Sequence, residues 1–355
     1  MAETFFDTTD NLTRKTWARD LFKVLLWQEE IAWLLGDSDE AIIQVRKELL
    51  KSKGDQITFG ILKELTEAGI VGTAIVQGTG EKQVFRNFNM KLEERWKAVN
   101  AGQKSGMSEQ RVPYNLLETG KRLLKNWWGQ QLSDHAINVL CGNSNFKVDG
   151  QATFGQTVAE PTTNQIIRVN DAASDAALTA GDICTLGFLD RMKQRAENPI
   201  GTDYKVRMAT IKGKRRFVII LHNFVFDALR RNTNKLEWGD LQREAGKFEI
   251  PNVEIDYNDM LVMKSKRIYS PNANATTGAG AYRNLFLGAQ AGVWGWGGAG
   301  LNNETTMAYN VELYDHKRKI EVAGGAVYGV RKTSFSDTGD YGVIVGASYG
   351  QRLSG

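Results

Sequence analysis

The chain has 355 residues, among them 36 Gly and five Pro, with 42% hydrophobic and 24% charged residues and a net charge of +4. That much apolar surface offsets chain entropy, which excludes a wholly disordered chain, and the glycines follow no period of three, which excludes collagen. The charge is too mild to argue for nucleic-acid binding by itself, and no run approaches the ~18 apolar residues of a membrane helix.

Length alone suggests about two domains. Cys141 and Cys184 lie far apart and outside any CxxC pair, so no disulfide framework is expected and a reducing compartment suits the chain. The start, Met1-Ala2-Glu3-Thr4-Phe5-Phe6-Asp7, carries neither a basic nor an apolar signal segment, so no signal peptide is expected.

The first 50 residues read as helical. Trp17, Leu21, Val24, Leu25, Ile31 and Leu34 fall mostly at steps of three or four. A second pattern, Ala41-Ile42-Ile43 to Leu49-Leu50, follows the acidic stretch Asp37-Ser38-Asp39-Glu40, which suits a helix N-terminus. This segment is either a packing helix of a larger core or an arm that packs on another subunit.

From Gly54 the period changes. Ile57, Phe59 and Ile61 alternate with Thr58, Gly60 and Leu62, and Phe88, Met90 and Leu92 alternate with Asn89, Lys91 and Glu93. The glycine-punctuated middle has little to bury. The pattern predicts two antiparallel strands joined by a projecting loop. An isolated hairpin is marginal in water, so a partner surface is implied, in this chain or in a neighbour.

The strongest helix signal follows: Leu116, Leu117, Gly120, Leu123, Leu124, Trp127, Trp128, Leu132, Ala136, Val139 and Leu140. Pro113 stands near its start and Gly142 just past its end, as start and stop chemistry requires. A helix over 108–141 would be about 50 Å long, with Gly120 and Gly129 weakening it.

Residues 143–177 read as loop with short strands. Thr179-Ala180-Gly181-Asp182 predicts a helix opening there and running to about Ala196, ended by Asn198-Pro199. Phe217-Val218-Ile219-Ile220-Leu221 predicts a buried strand, with a helix after His222-Asn223 ending in Arg230-Arg231. Lys264 to Tyr269 reads as a strand edge and 271–280 as a loop. The tail from Thr306 to Gly350 reads as short strands with turns at Gly324-Gly325 and Gly339-Asp340. No βαβ repetition appears, so the fold class is α+β.

Catalytic motifs fail one by one. Gly295-Trp296-Gly297-Gly298-Ala299-Gly300 is a formal GxGxxG, but no amphipathic helix follows to meet a pyrophosphate. Gly346-Ala347-Ser348-Tyr349-Gly350 is a formal GxSxG, but His135, His222 and His316 all lie upstream of the Ser, the wrong order for a nucleophile elbow. No HExxH, EF-hand loop or P-loop is present. Neither catalytic residues, nor a cofactor, nor a metal site is expected. Lys212-Gly213-Lys214-Arg215-Arg216 and Lys317-Arg318-Lys319 adjoin strands. They are either solvated edges or contacts to phosphate or an acidic neighbour.

The order of arm, long hairpin, long helix, mixed domain and terminal strands resembles the major capsid protein of tailed bacteriophages, the Hong Kong 97-type fold. More narrowly it resembles the family typified by coliphage N-four. The resemblance rests on Gly54-Asp55-Gln56-Ile57-Thr58-Phe59, on Phe217-Val218-Ile219-Ile220-Leu221-His222 before Leu229-Arg230, and on Leu285-Phe286-Leu287-Gly288-Ala289-Gln290-Ala291. It also rests on Tyr328-Gly329-Val330-Arg331-Lys332-Thr333-Ser334-Phe335 before Asp340-Tyr341-Gly342-Val343-Ile344.

The resemblance implies an N-terminal arm (1–54), an extended loop (55–104), a peripheral domain with a spine helix (105–180 and 311–355) and an axial domain (181–310). Subunits would assemble as hexamers and pentamers into an icosahedral head around packaged double-stranded DNA held without sequence preference. The protein would be a virion component assembled in the host bacterial cytoplasm, with a portal at one vertex. The arm is too short for its own scaffolding domain, so a separate scaffolding protein is expected; a decoration protein is a further candidate partner, and no membrane is involved. Candidate inter-subunit contacts are Trp17 and Leu21 on the arm and Lys63, Glu64, Glu67, Glu81, Lys82, Phe85, Arg86 and Phe88 on the hairpin. Candidate DNA- or neighbour-facing cations are Lys214, Arg215, Arg216, Lys317, Arg318 and Lys319. Lys63 and Lys82 are the donors that a Lys–Asn cross-link would use, and no such link is expected. Competing expectations are a nanocompartment shell of the encapsulin type, another virion protein such as a portal, and a soluble nucleotide-binding enzyme using 295–300.

Overall fold

The computed structural model describes residues 31–48, 54–62, 65, 69–72, 75–103, 116–148, 151–152, 158–200, 205–233, 238–239, 241–243, 250, 253–298, 306–316, 318–335 and 339–353. The helical pattern before Ile31, the helix start at Pro113, and candidates Trp17, Leu21, Lys63, Glu64, Glu67 and Lys317 lie outside the described residues.

In chain order the strands begin with β1 (Leu35–Gly36), β2 (Ile43–Arg46), the hairpin of β3 (Gln56–Leu62) and β4 (Phe85–Lys91), and β5 (Glu93–Gln103). Helix α1 (Leu116–Leu140) follows, then the short strands β6 (Lys147–Val148), β7 (Gln151–Ala152) and β8 (Ile166–Arg168). Helix α2 (Leu186–Glu197) leads to β9 (Ala209–Ile211), β10 (Lys214–His222) and α3 (Asn223–Asn232). The rest is β11 (Val253–Tyr257), β12 (Met260–Ser265), β13 (Gly280–Leu287), β14 (Gly292–Trp296), β15 (Met307–Tyr314), β16 (Lys319–Lys332), β17 (Ser334–Phe335), β18 (Gly339–Asp340) and β19 (Val343–Gly350).

Two sheets organise the described residues. The first is built on β16. It pairs with β5 along one edge, and with β14 and then β15 along the other; β2 and β1 extend the sheet beyond β14. The second runs β11-β12-β10-β13-β19-β8, with β9 on β10. One continuous core links the two sheets. Boundaries at 180 and 310 cut across them: β14 belongs to the first sheet, and β8 and β19 belong to the second.

Helix α1 lies over β16 and β5. It ends in a Schellman-type stop, with Gly142 at φ +67, its N–H bonded to the Val139 carbonyl, and the Asn143 N–H bonded to Asn138. Gly120 does not break the helix. It is buried against β5, where an added Cβ would meet Ala101 and Val99 at ordinary contact distances of 3.5 and 3.8 Å.

Four local expectations change. Residues 41–46 are not helical: Ile43–Arg46 is a strand, parallel to β14 through Ile43–Gly292 to Arg46–Gly295, and the end of that pattern at Leu49-Leu50 lies outside the described residues. β-Branched Ile42, Ile43 and Val45 favour that pleated, buried site. Helix α2 starts at Leu186, capped by Thr185, whose hydroxyl accepts from the Phe188 N–H. Thr179 and Asp182 form a separate turn, in which the Asp182 carboxylate accepts from both the N–H and the hydroxyl of Thr179. Gly324 and Gly325 are not a turn but lie inside the 14-residue strand β16. Gly324 faces Leu124 and Trp128 of α1, and Gly325 lies under the Trp96 ring on the opposite face. The strand read at 264–269 is β12, four residues earlier, and it is an interior strand paired on both sides.

Candidate assembly surfaces

The hairpin forms as the alternation predicts, in register from Gln56–Lys91 to Leu62–Phe85. Its base has a core of its own: Ile57, Phe59, Phe88, Met90 and Leu92 pack on Val293, Phe335 and Tyr341. The Phe59 and Phe88 rings stack at 5.3 Å, and Phe335 meets Phe88 edge-on at 5.7 Å. Arg331 lies over Phe88 and donates to the Asn89 carbonyl.

Phe88, an expected inter-subunit contact, is 7% exposed and packs inside its own chain. Phe85, three residues closer to the tip, is 68% exposed. Leu65, Ile70, Val71, Ile75, Val76 and Val84 are exposed too, so most of the exposed large apolar side chains among the described residues sit on this one projection. Lys82 is exposed beside them, with Glu81 and Arg86 half-buried.

The basic runs divide. Lys212-Gly213 makes a tight turn of positive φ between β9 and β10, leaving Lys214 and Arg215 exposed. Arg216 instead turns inward to Asp259 and to Asp256, the latter at 3.8 Å. Lys319 pairs with Asp315 at 3.4 Å across the β15–β16 turn, and Arg318 is exposed. Arg216 and Lys319 thus each hold an ion pair within their own chain.

The formal catalytic motifs are packing sites. At Gly295 an added Cβ would stand 2.9 Å from Leu92 and 3.1 Å from Ile57, so this glycine lets the hairpin base settle on β14. Ser348 is fully buried in β19, and its hydroxyl accepts from the Asn284 amide at 2.9 Å. His222 caps α3, its Nδ1 accepting from the Phe224 N–H at 3.2 Å, and its ring stacks on Tyr282 at 4.0 Å. Burial lowers its pKa to about 4. Burial, then the Arg95 charge, lowers that of His135 to about 3. Burial pushes both Cys141 and Cys184 up to about 12, so neither is a ready nucleophile. Among the described residues no group of His, Cys, Asp and Glu is placed to hold a metal ion.

A feature that the sequence did not disclose is a buried ion pair. Lys332 and Asp340 are each 3% exposed and 2.7 Å apart. Lys332 also donates to the carbonyls of Ala159 and Glu160, and Asp340 accepts from the Thr162 N–H. The cluster ties the β16–β18 segment to the 158–162 loop.

A profile of the family described as phage capsid protein matches residues 6–350. The structure is similar to the capsid of Ralstonia phage GP4, with a TM-score of 0.80 and 21% identity over 100% of both chains. It is also similar to the capsid of cyanophage Pam1, with a TM-score of 0.68 and 17% identity over 92% of this chain and 93% of that one. The capsid of Helicobacter pylori bacteriophage KHP30 follows, with a TM-score of 0.62 and 11% identity over 89% of each. Among curated proteins, none matches the chain. With a family match over nearly its whole length and a Hong Kong 97-like fold, the chain belongs to the phage capsid protein family: it is a major capsid protein that builds an icosahedral shell, a structural subunit and not an enzyme.

Proposed function

We propose that the subunit joins hexamers and pentamers by laying its β3–β4 hairpin on the adjacent copy, and that the closed shell encloses double-stranded DNA. The observation that carries this reading is the division within the hairpin. Its base is buried in its own chain, while its outer part exposes Leu65, Val71, Ile75, Val76 and Phe85. Apolar surface stabilises by about 25 cal/mol per Å² when it leaves water, so a projection of this kind gains when a neighbour covers it. The β5–β16–β15 sheet with α1 serves as the peripheral domain, and the β10-centred sheet as the axial domain at the capsomer centre. A separate scaffolding protein sets the size of the shell, a portal occupies one vertex, and assembly takes place in the bacterial cytoplasm.

The test is to express the chain alone and with the scaffolding candidate of its own genome, and to image the products by negative stain. Uniform closed shells only with the partner support the proposal. Correctly sized shells from the chain alone would remove the separate scaffold, and monomers or small rings under both conditions would defeat the assembly reading.

A further inference from the structure

The Lys332 ammonium has three N–H donors, and three acceptors surround it. The Asp340 Oδ2 lies at 2.7 Å, and the Ala159 and Glu160 carbonyls lie at 3.3 and 3.4 Å. Oδ2 also accepts from the Thr162 N–H at 3.2 Å, while the Asp340 N–H donates to the Thr162 hydroxyl at 2.9 Å. Both side chains are 3% exposed. An amine and a carboxyl group are thus held in contact, out of water, with the Asp340 Cγ one bond beyond the atom that Nζ already touches.

Burial removes much of the advantage of the charged form. The ammonium can pass its third proton to the carboxylate with no change in net charge. The two hydrogens that remain stay on the Ala159 and Glu160 carbonyls, so the freed lone pair faces the Asp340 carboxyl. In dilute solution an amine and an acid condense poorly, because water is abundant and the partners are scarce. Well-oriented groups within one molecule reach effective molarities of about 10⁵–10⁸ M. In a site that excludes water, the reverse reaction also lacks its reagent.

We infer that Lys332 and Asp340 condense spontaneously to an isopeptide bond inside the subunit. Lys332 Nζ attacks the Asp340 Cγ, and the new N–C bond forms. The protonated Oδ2 takes the second proton from the nitrogen and leaves as water as the Cγ–Oδ2 bond breaks. Nothing is oxidised or reduced, and one water is the sole by-product. The Thr162 N–H steadies the departing oxygen. The amide keeps one N–H for the carbonyls of the 158–162 loop. Lys332 ends β16 and Asp340 ends β18, so the bond closes a ring across the β17–β18 pair. Phe335 within that ring and Tyr341 beside it carry the hairpin base. The bond therefore staples the seat of the hairpin, and it does so in the single chain, independently of assembly.

The test is mass spectrometry of the denatured full-length chain, taken fresh and after warm storage. The expected result is a species lighter by one water that grows at the expense of the parent. Trypsin does not cut after an acylated lysine, and the next basic residue is Arg352. Digestion should therefore yield 332–352 as one peptide, a water short, with no backbone fragments between Lys332 and Asp340. Lys332→Arg keeps the charge and should lose no water. A chain of full mass after storage overturns the bond. So does a water loss that maps to Asp149-Gly150, a sequence prone to succinimide formation, or one that persists in Lys332→Arg. If that variant does not fold, the digest of the parent chain decides by itself.

Discussion

The Trp96 ring lies so close over Gly325 that a Cβ added to the glycine would clash with it. Trp96 comes from β5 and Gly325 from the middle of β16, and the two are register partners. On the other face of the same strand, Gly324 admits the Trp128 ring, whose Nε1 would stand 3.3 Å from an added Cβ. Consecutive glycines thus thin the central strand so that an indole can pack on each side.

This arrangement makes Gly325→Ala destabilising by about 1–3 kcal/mol, the usual cost of overpacking. Trp96→Ala removes the obstacle, so the double variant is expected to lose less than the sum of the two single changes. A double-mutant cycle from denaturant unfolding checks this. Additive losses would mean that the glycine answers to something other than the ring.

The same pair shows what was legible in the sequence. A Gly-Gly dipeptide reads locally as a turn, because the reason for it stands more than 200 residues upstream in the chain. Ile42–Val45 reads locally as helix for a similar cause: a short apolar run does not distinguish helix from strand, and its partner β14 is about 250 residues away. The hairpin, the Gly142 stop of α1 and the buried strand at Phe217–Leu221 were legible because period and capping are local signals. The Lys332–Asp340 pair was not, since neither charge differs in sequence from a surface one. Phe85 and Phe88 show the limit for assembly surfaces. Three residues apart, they end on opposite sides of the burial divide, and only the position of β14 and β17 beneath the hairpin base decides which is which.

Lys332→Met is expected to cost about 3–5 kcal/mol, because it leaves the Asp340 carboxylate buried without its counter-charge. Replacing both, as Lys332→Met with Asp340→Asn, relieves the stranded charge and recovers part of the loss. Urea unfolding of the three proteins at neutral pH is the measurement. A single variant within ~0.5 kcal/mol of the parent would show the pair to be water-reached and dispensable.

His222 gives the fold an acid dependence of definite sign. Its ordinary pKa is 6.5 and its folded value is lowered to about 4, chiefly by burial. Between these values the unfolded chain binds a proton that the native chain does not. Stability is therefore full above pH 6.5 and falls as the pH drops toward 4. His135, lowered to about 3, acts in the same direction over a window reaching lower. His222→Asn keeps a side-chain acceptor for the α3 cap but does not titrate. It is expected to melt lower than the parent at pH 7.5, having lost the Tyr282 stack, and to lose less on transfer to pH 5. An unchanged difference in melting temperature between the two pH values would place the sensitivity elsewhere.

The hairpin supplies the sharpest separation between folding and assembly. Phe88 is 7% exposed and wedged between Phe59 and Phe335, so Phe88→Ala is expected to destabilise the subunit itself by about 3–5 kcal/mol. Phe85 makes no such investment, being 68% exposed at the outer end of β4. Phe85→Ser should leave subunit unfolding within ~0.5 kcal/mol of the parent, as exposed substitutions generally do. It should nevertheless reduce the yield of closed shells, because the apolar area it removes is buried only when a second copy arrives. The two variants are compared by denaturant unfolding of the subunit and by sedimentation of the assembled product. The expected pattern is crossed: Phe88→Ala weak in the first assay, Phe85→Ser normal in the first and weak in the second. Normal shell yield from Phe85→Ser would show that the neighbour does not cover the outer end of β4, and would move the assembly contact to the Leu65–Val76 tip.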